Sequence, residues 1–465
     1  MQKKTKITGE TMILVLLTAI LTILYISLIF NQNIWTDEAF TIQLTRCNTL
    51  SGIISGTAND VHPPLYYLIT KLLISLFGSS FQIYKLVSIL PMFLTMLLSV
   101  IYVRPWFGFR TALLFLLFLN GIPCVMEYGV QIRMYSWCIF FLTLAGLSAY
   151  GSCTKGTVKH WCILSLSSLC ACYTHNFAMI SAVFLYLILG ISLIIAEKKF
   201  PVRFLISGIF VAICFVPWLF VLFVQTKNRV GNYWIEPISP ETVIGYFGDL
   251  FGSRLPYTAV MFGVLLILAL VLPKRTRQIK YFSIALILIP LFTALVGILI
   301  SVLITPFFIA RYLIPCMGLA ALFLAIGFGG LEKNTVSQAL LCLFLTTMIG
   351  SSYDTNYLAE YRSTHTAELL HYLEENMSPN DKILYNNQPY GFIYQCYFDS
   401  GMLCFLNDMD FTSDYDTIWY FDSCVDPWLP DTVLEEHGLN KEYIATLGIE
   451  QNDFILYKIN KKQIP

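Results

Sequence analysis

Charge is what this sequence has least of. Asp, Glu, Lys and Arg make up 12% of its 465 residues, and hydrophobic residues 57%. Soluble globular chains carry roughly 25% charged residues. A water-facing surface over most of the length is therefore excluded. The scarcity is also uneven. Residues 1–352 hold 23 basic and 10 acidic side chains, whereas residues 353–465 hold 6 basic and 19 acidic ones. Such asymmetry is a domain signal, a basic body followed by an acidic tail. No CxxC pair and no Cys/His zinc spacing occurs among the 13 cysteines, most of which sit in apolar runs as small hydrophobes. Cys396, Cys404 and Cys424 in the tail leave room for one bridge, but an odd count argues against a disulfide framework. No fixed-period repeat and no low-complexity linker is visible.

The first apolar run, Met12–Phe30, follows a basic start and lacks a small-x-small cleavage site. Its 19 residues can cross a hydrocarbon core of about 30 Å. It is expected to remain as a helix. Ten further runs follow, near 82–103, 111–126, 136–151, 161–175, 177–196, 204–224, 257–272, 281–304, 313–330 and 338–352. The stretch 64–78 is apolar but short and begins at Pro63-Pro64, which suits a juxtamembrane helix. With the N-terminus cytoplasmic, the inner loops carry fifteen basic residues and the outer loops six. Lys/Arg enrichment marks the inner side. Eleven spans then put 353–465 outside the cell membrane. That tail reads as a small α/β domain, with a helix over Thr364–Met377, strands at Lys382–Tyr385, Thr417–Phe421 and Phe454–Ile459, and a helix near 431–438. The predicted architecture is a polytopic α-helical membrane domain, 1–352 with an outer loop over 31–63, and an extracytoplasmic α/β domain, 353–465.

Ionised groups in lipid cost at least about 2.5 kcal/mol at a helix centre, so the ten acids of the body repay mapping. Glu10, Glu197 and Glu332 fall on the inner side; Asp37, Glu38, Asp60, Glu127, Glu236, Glu241 and Asp249 fall on the outer side. None interrupts a span. This is a polar site at one membrane surface, and not an ion path through the membrane. Four outer segments stand out. Trp35-Thr36-Asp37-Glu38 puts two adjacent carboxylates just after the first span, where partial desolvation favours a general base. Thr36 or Asp37 as a helix N-cap is the alternative, and the two roles are compatible. Asp60-Val61-His62-Pro63-Pro64-Leu65-Tyr66-Tyr67 is either a surface-directed His and Asp or a plain loop-to-helix turn. In Glu127-Tyr128-Gly129-Val130-Gln131-Ile132-Arg133-Met134-Tyr135, Arg133 suits a phosphate fork, or a snorkelling cation in an aromatic belt. Arg311, in Thr305–Pro315, is the only charge between Tyr281 and Gly330, and a lone arginine at that depth points to function.

Together the order Asp-Glu after the first span, His-Pro-Pro-Leu-Tyr-Tyr in the first outer loop, Arg-Met-Tyr after the third span and Arg-Tyr-Leu-x-Pro late in the body resembles glycosyltransferase family 39. That group includes protein O-mannosyltransferases and aminoarabinose transferases. The resemblance covers about 1–330, and the tail is not diagnostic. It implies a C-type glycosyltransferase fold, a polyprenyl-phosphate sugar donor, and a glycan, lipid or protein acceptor. By matching positions, Asp37 is implied as catalytic base with Glu38 beside it. His62 and Pro63 are implied under the donor, and Arg133, Tyr135, Arg311 and Tyr312 as donor contacts. Asp60, Glu127 and Gln131 are secondary candidates. Many bacterial relatives have Gln-Glu two residues before Arg-Met-Tyr; here that place holds Gln131, and the carboxylate is at Glu127. No cofactor is required, no metal ligand set is assigned, and a divalent cation stays open because seven outer acids are present. No nucleic-acid partner is expected.

The residues fit this chemistry independently. A glycosyl phosphate brings its own leaving group, so the protein must stabilise the phosphate and take an acceptor proton. A single displacement, with inversion, is favoured, because adjacent Asp37 and Glu38 point different ways and do not flank a sugar. A lipid-linked sugar transporter or flippase is the rival from another class, but it predicts mid-membrane charges and paired half-repeats. A surface-polysaccharide polymerase or ligase differs only in acceptor.

Overall fold

The computed structural model describes residues 9–30, 33–197, 201–229, 235–252, 256–271, 276–330, 335–361 and 365–461. Lys3, Lys4, Lys6, Lys198, Lys199, Arg254, Lys274, Arg275, Glu332, Lys333 and Thr364 lie outside the described residues. The chain forms two compact units. One comprises Met1–Phe30 with Asn48–Asn356, and the other Asn31–Cys47 with Tyr357–Pro465.

The first unit is helical. Among the described residues eight helices are long and apolar enough to cross a membrane, and a ninth span is a bent pair. The eight are Gly9–Leu28, Phe81–Phe107, Tyr135–Lys155, Asn176–Ile195, Val202–Lys227, Arg277–Leu303, Ala310–Gly329 and Val336–Tyr353. Phe109–Gly121 and Pro123–Val130 meet at 70°. Ile122 is extended there because a residue before proline avoids the helical region, and Pro123 then opens the next helix. Val158–Thr174, with 17 residues, and Pro256–Val271, with 16, complete the eleven runs of the sequence. Leu65–Phe77 has 13 residues, about 20 Å at the helical rise, and is too short to span.

Burial ranks the helices. Gly9–Leu28 turns Met12, Ile13, Leu16, Ile20 and Ile23 outward, whereas Ala310–Gly329 is almost wholly buried. Lipid tails are as apolar as leucine, so small residues and interhelical hydrogen bonds supply the packing. A Cβ at Gly318 would lie 1.9 Å from Thr143 Oγ1, which shows how closely these two helices approach. Ser165 pairs with Ser207 at 2.7 Å, and Ser181 with Thr293 at 3.0 Å.

In the second unit a five-stranded sheet has the order β2-β1-β3-β5-β4. The strands are β1 Lys382–Tyr385, β2 Leu403–Phe405, β3 Ile418–Asp422, β4 Leu439–Ile449 and β5 Asn452–Lys461. β1 runs parallel to β2 and β3, and β5 antiparallel to β3 and β4. Three of these strands match expectation; the two edge strands, β2 and β4, do not appear in the sequence reading. Edge strands have few buried positions: β2 has three residues, none fully buried, and β4 exposes Asn440, Glu442 and Tyr443. Their alternation is therefore weak. Helices form at Thr366–Asn376 and Asp431–Glu436. Leu384, Ile418, Tyr420, Leu434, Leu439 and Ile459 belong to one core cluster. All thirteen cysteines are free thiols, including the three in the tail.

Residues 33–47 fold with this sheet unit. Glu450, at the β4–β5 turn with φ 55°, accepts the Ile34 N–H at 2.7 Å and the Tyr397 hydroxyl. Phe40 packs edge-on against Phe392, with ring centroids 5.5 Å apart.

Candidate functional site

Within the helical unit, polar side chains from four chain segments gather at one end. The first is the turn before Leu65–Phe77. His62 Nδ1 lies 3.0 Å from Asp60 Oδ2. A carboxylate only accepts, so Nδ1 carries the proton. Burial pushes the Asp60 carboxyl up, but the His62 hydrogen bond, with help from Val61 and Arg133, outweighs it and holds the carboxyl below its ordinary range. His62 Nε2 then faces Arg133 Nη2 at 3.5 Å, a long contact in which the guanidinium can only donate. The result is a carboxylate–imidazole–guanidinium chain that aims Arg133.

Arg133 is 2% exposed. It follows the bent third span, and the main chain turns sharply before it: its N–H donates to Gln131 O at 2.7 Å. Ser88 Oγ donates to its carbonyl at 3.5 Å. One turn earlier, Lys85 is also buried, at 1% exposure. Tyr135, fully buried, stands with its ring centroid 5.0 Å from that of Tyr128. Glu127 is half-buried on Pro123–Val130, and Gln131 is buried at the end of that helix.

The third segment is Thr174-His175-Asn176, which sequence reasoning passed over. The runs 161–175 and 177–196 abut, and so the break between them is hidden. Its signal was available: a histidine and an asparagine between two apolar helices, the same logic that singled out Arg311. Asn176 Nδ2 donates to Val61 O at 2.8 Å and so fixes the His62 turn. The His175 ring lies 5.7 Å from His62, 5.6 Å from Tyr135 and 5.5 Å from Tyr312. Burial lowers the His175 pKa well below the ordinary histidine value, and the charges of Arg133 and Arg311 lower it further. The fourth segment, Ala310–Cys316, is a short 3₁₀ helix. It presents Arg311, half-exposed, and Tyr312, buried and stacked 4.9 Å from Phe177. Thus Asp60, His62, Arg133, Tyr135, Arg311 and Tyr312 belong to one neighbourhood, with His175 among them. Pro63 is buried in the turn.

Asp37 and Glu38 lie in the other unit, on helix Thr36–Cys47. Glu38 is fully buried, and its Oε2 accepts the Trp35 N–H at 3.2 Å. Glu38 thus reaches back to the N–H of the residue before the helix, as the carboxylate of a capping box does. Asp37 is half-exposed in the first turn, where the helix dipole favours a negative charge. Among the described residues no group of three His, Cys, Asp or Glu side chains could hold a metal ion.

The same fold occurs in solved membrane glycosyltransferases. ArnT from Cupriavidus metallidurans in the apo state has a TM-score of 0.62 at 12% identity, over 97% of this chain and 98% of ArnT. The same protein bound to undecaprenyl phosphate scores 0.61 at 13% identity, over 95% and 97%. The arabinofuranosyltransferase AftD from Mycobacteria scores 0.51 at 12% identity, over 96% of this chain and 40% of AftD. The chain has the C-type fold of these proteins. Residues 61–221, about a third of the chain, match the family model of dolichyl-phosphate-mannose-protein mannosyltransferase. That segment contains His62, Arg133, Tyr135 and His175. No curated protein matches the sequence.

Proposed function

We propose that this protein is a multi-pass membrane glycosyltransferase that moves a sugar from a polyprenyl-phosphate donor to an acceptor hydroxyl at the outer face of the membrane. The observation that carries this is Arg133, a guanidinium buried at a helix-bundle end and oriented through His62 and Asp60. A guanidinium held in that orientation presents a planar fork of donors that matches the oxygens of a phosphate. The family match over 61–221 and the fold shared with ArnT support a lipid-phosphate donor.

In the proposed step an acceptor oxygen attacks the anomeric carbon. The bond from that carbon to the phosphate oxygen breaks, and its electron pair leaves with the polyprenyl phosphate. Asp37 takes the acceptor proton, with Glu38 beside it. Arg133 and Arg311 receive the charge that develops on the phosphate; preorganised donors of this kind are worth about 10²–10³ in rate. Tyr135, Tyr312, His62 and Pro63 complete the donor side. One displacement inverts the anomeric centre. The proposal places residues 1–352 in the membrane, with a cytoplasmic N-terminus, and 353–465 outside.

Transfer from a panel of radiolabelled polyprenyl-phosphate sugars by the purified protein tests this. The expected result is transfer from at least one donor with inverted product and none by Asp37→Asn, which still folds and inserts. Near-normal transfer by Asp37→Asn removes Asp37 as base. Loss of activity with EDTA adds a divalent cation to the scheme.

A further inference from the structure

We propose that His175 is a donor-contacting residue whose Nε2–H donates a hydrogen bond to an oxygen of the donor phosphate. The inference deepens, and rests on, the polyprenyl-phosphate reading above. The tautomer comes from the backbone. Phe177 N–H donates to His175 Nδ1 at 3.1 Å, so Nδ1 holds a lone pair and the ring proton of the neutral imidazole sits on Nε2. His62 is the opposite tautomer, with its proton on Nδ1 toward Asp60. The two imidazoles stand 5.7 Å apart and do different work. His62 holds an arginine in place, and His175 offers a hydrogen.

That hydrogen has no protein acceptor among the described residues. The ring is 2% exposed, and Tyr135, Tyr312 and Phe177 enclose it at centroid distances of 5.6, 5.5 and 6.1 Å. A ring held in this way by its neighbours keeps that N–H available to the oxygen of a ligand. The ligand's sign follows from the neighbours: the charges of Arg133 and Arg311 both act on His175. A third cation there would repel the other two. A neutral N–H supplies one more donor to an anion without that repulsion, and a hydrogen bond to an anionic oxygen is the stronger kind.

The test uses the purified full-length protein and two probes, undecaprenyl phosphate and undecaprenol, which differ only in the phosphate. His175→Phe keeps an aromatic ring and removes the donor. His175→Gln replaces the ring but returns an N–H near the Nε2 position. The expected result is a 10- to 100-fold weaker binding of undecaprenyl phosphate by His175→Phe, recovery to within about threefold by His175→Gln, and unchanged binding of undecaprenol by both. Equal loss for both probes, or equal loss in both variants, assigns His175 to packing and overturns the inference. Wild-type affinity for undecaprenyl phosphate retained by His175→Phe also overturns it, while leaving the donor reading intact. Failure of the wild-type protein to prefer undecaprenyl phosphate over undecaprenol overturns both.

Discussion

The two ends of the helical unit are built from the same residue types and use them in opposite ways. At one end Arg133 is buried, His62 and His175 have fixed tautomers, and the tyrosines pack around them. At the other, Arg104 pairs with Glu10 at 3.0 Å while both stay partly exposed. Lys155 lies 5.2 Å over the Trp106 ring, and Arg277 lies 5.4 Å from the centre of Tyr281. Trp106, Tyr102, Tyr150 and His160 form a ring cluster there. Those cations keep contact with water, and their aromatic partners suit an interfacial belt. Burial separates a site from an anchor; composition does not. Asp60, Arg133, His175 and Arg311 follow or close the apolar runs 12–30, 111–126, 161–175 and 281–304 and share the first end, while Phe107, Tyr150 and Phe282 pack together at the other.

The contrast can be broken by exchanging its members for alanine. Arg133→Ala should lower transfer about 10²–10³-fold, chiefly through the donor, because it removes a preorganised cation. Donor titration in a transfer assay checks this, and an unchanged apparent donor affinity removes the phosphate role. Asp60→Asn should cost about tenfold in transfer, since Arg133 then loses the anchor behind His62. It should also alter acid stability. The folded Asp60 titrates below its ordinary 3.8. Its stabilisation is therefore present above that pH and lost as the pH falls through the folded value. Thermal unfolding compared just above pH 3.8 and progressively below it should show a smaller acid-side loss in the Asn variant.

Gly318→Ala probes the bundle between the two ends. Its Cβ would meet Thr143 Oγ1, which is already bonded to Ile139 O at 2.6 Å. Overpacking of this kind costs about 1–3 kcal/mol, readable as a lower melting temperature in detergent. Arg104→Ala should do least. An exposed ion pair contributes under about 1 kcal/mol, so transfer should stay within twofold of wild type and melting should barely move. A large loss of transfer on Arg104→Ala would erase the distinction between the ends.

Much of this was legible from residue order. The eleven runs, the half-length helix after Pro63-Pro64 and three sheet strands followed from periodicity and length. His62, Arg133 and Arg311 stood out because polar groups are rare in apolar surroundings. His175 did not stand out, since the runs on either side concealed its break. Nor could residue order supply the Asp60–His62–Arg133 chain, whose last link joins residues 71 apart. The same holds for Phe40 against Phe392, and for Ile34 bonded to Glu450 416 residues away. Local periodicity carries no information about such distant partners.

By itself, then, the sequence determined where the chain can cross a membrane and which side chains must stay at its edges, because lipid penalises charge wherever it falls along a helix. Only the tertiary structure decided which edges meet, which nitrogen of each imidazole bears its proton, and that residues 33–47 fold with the sheet unit. Those outcomes depend on packing between segments far apart in the chain, and no single segment encodes its neighbours.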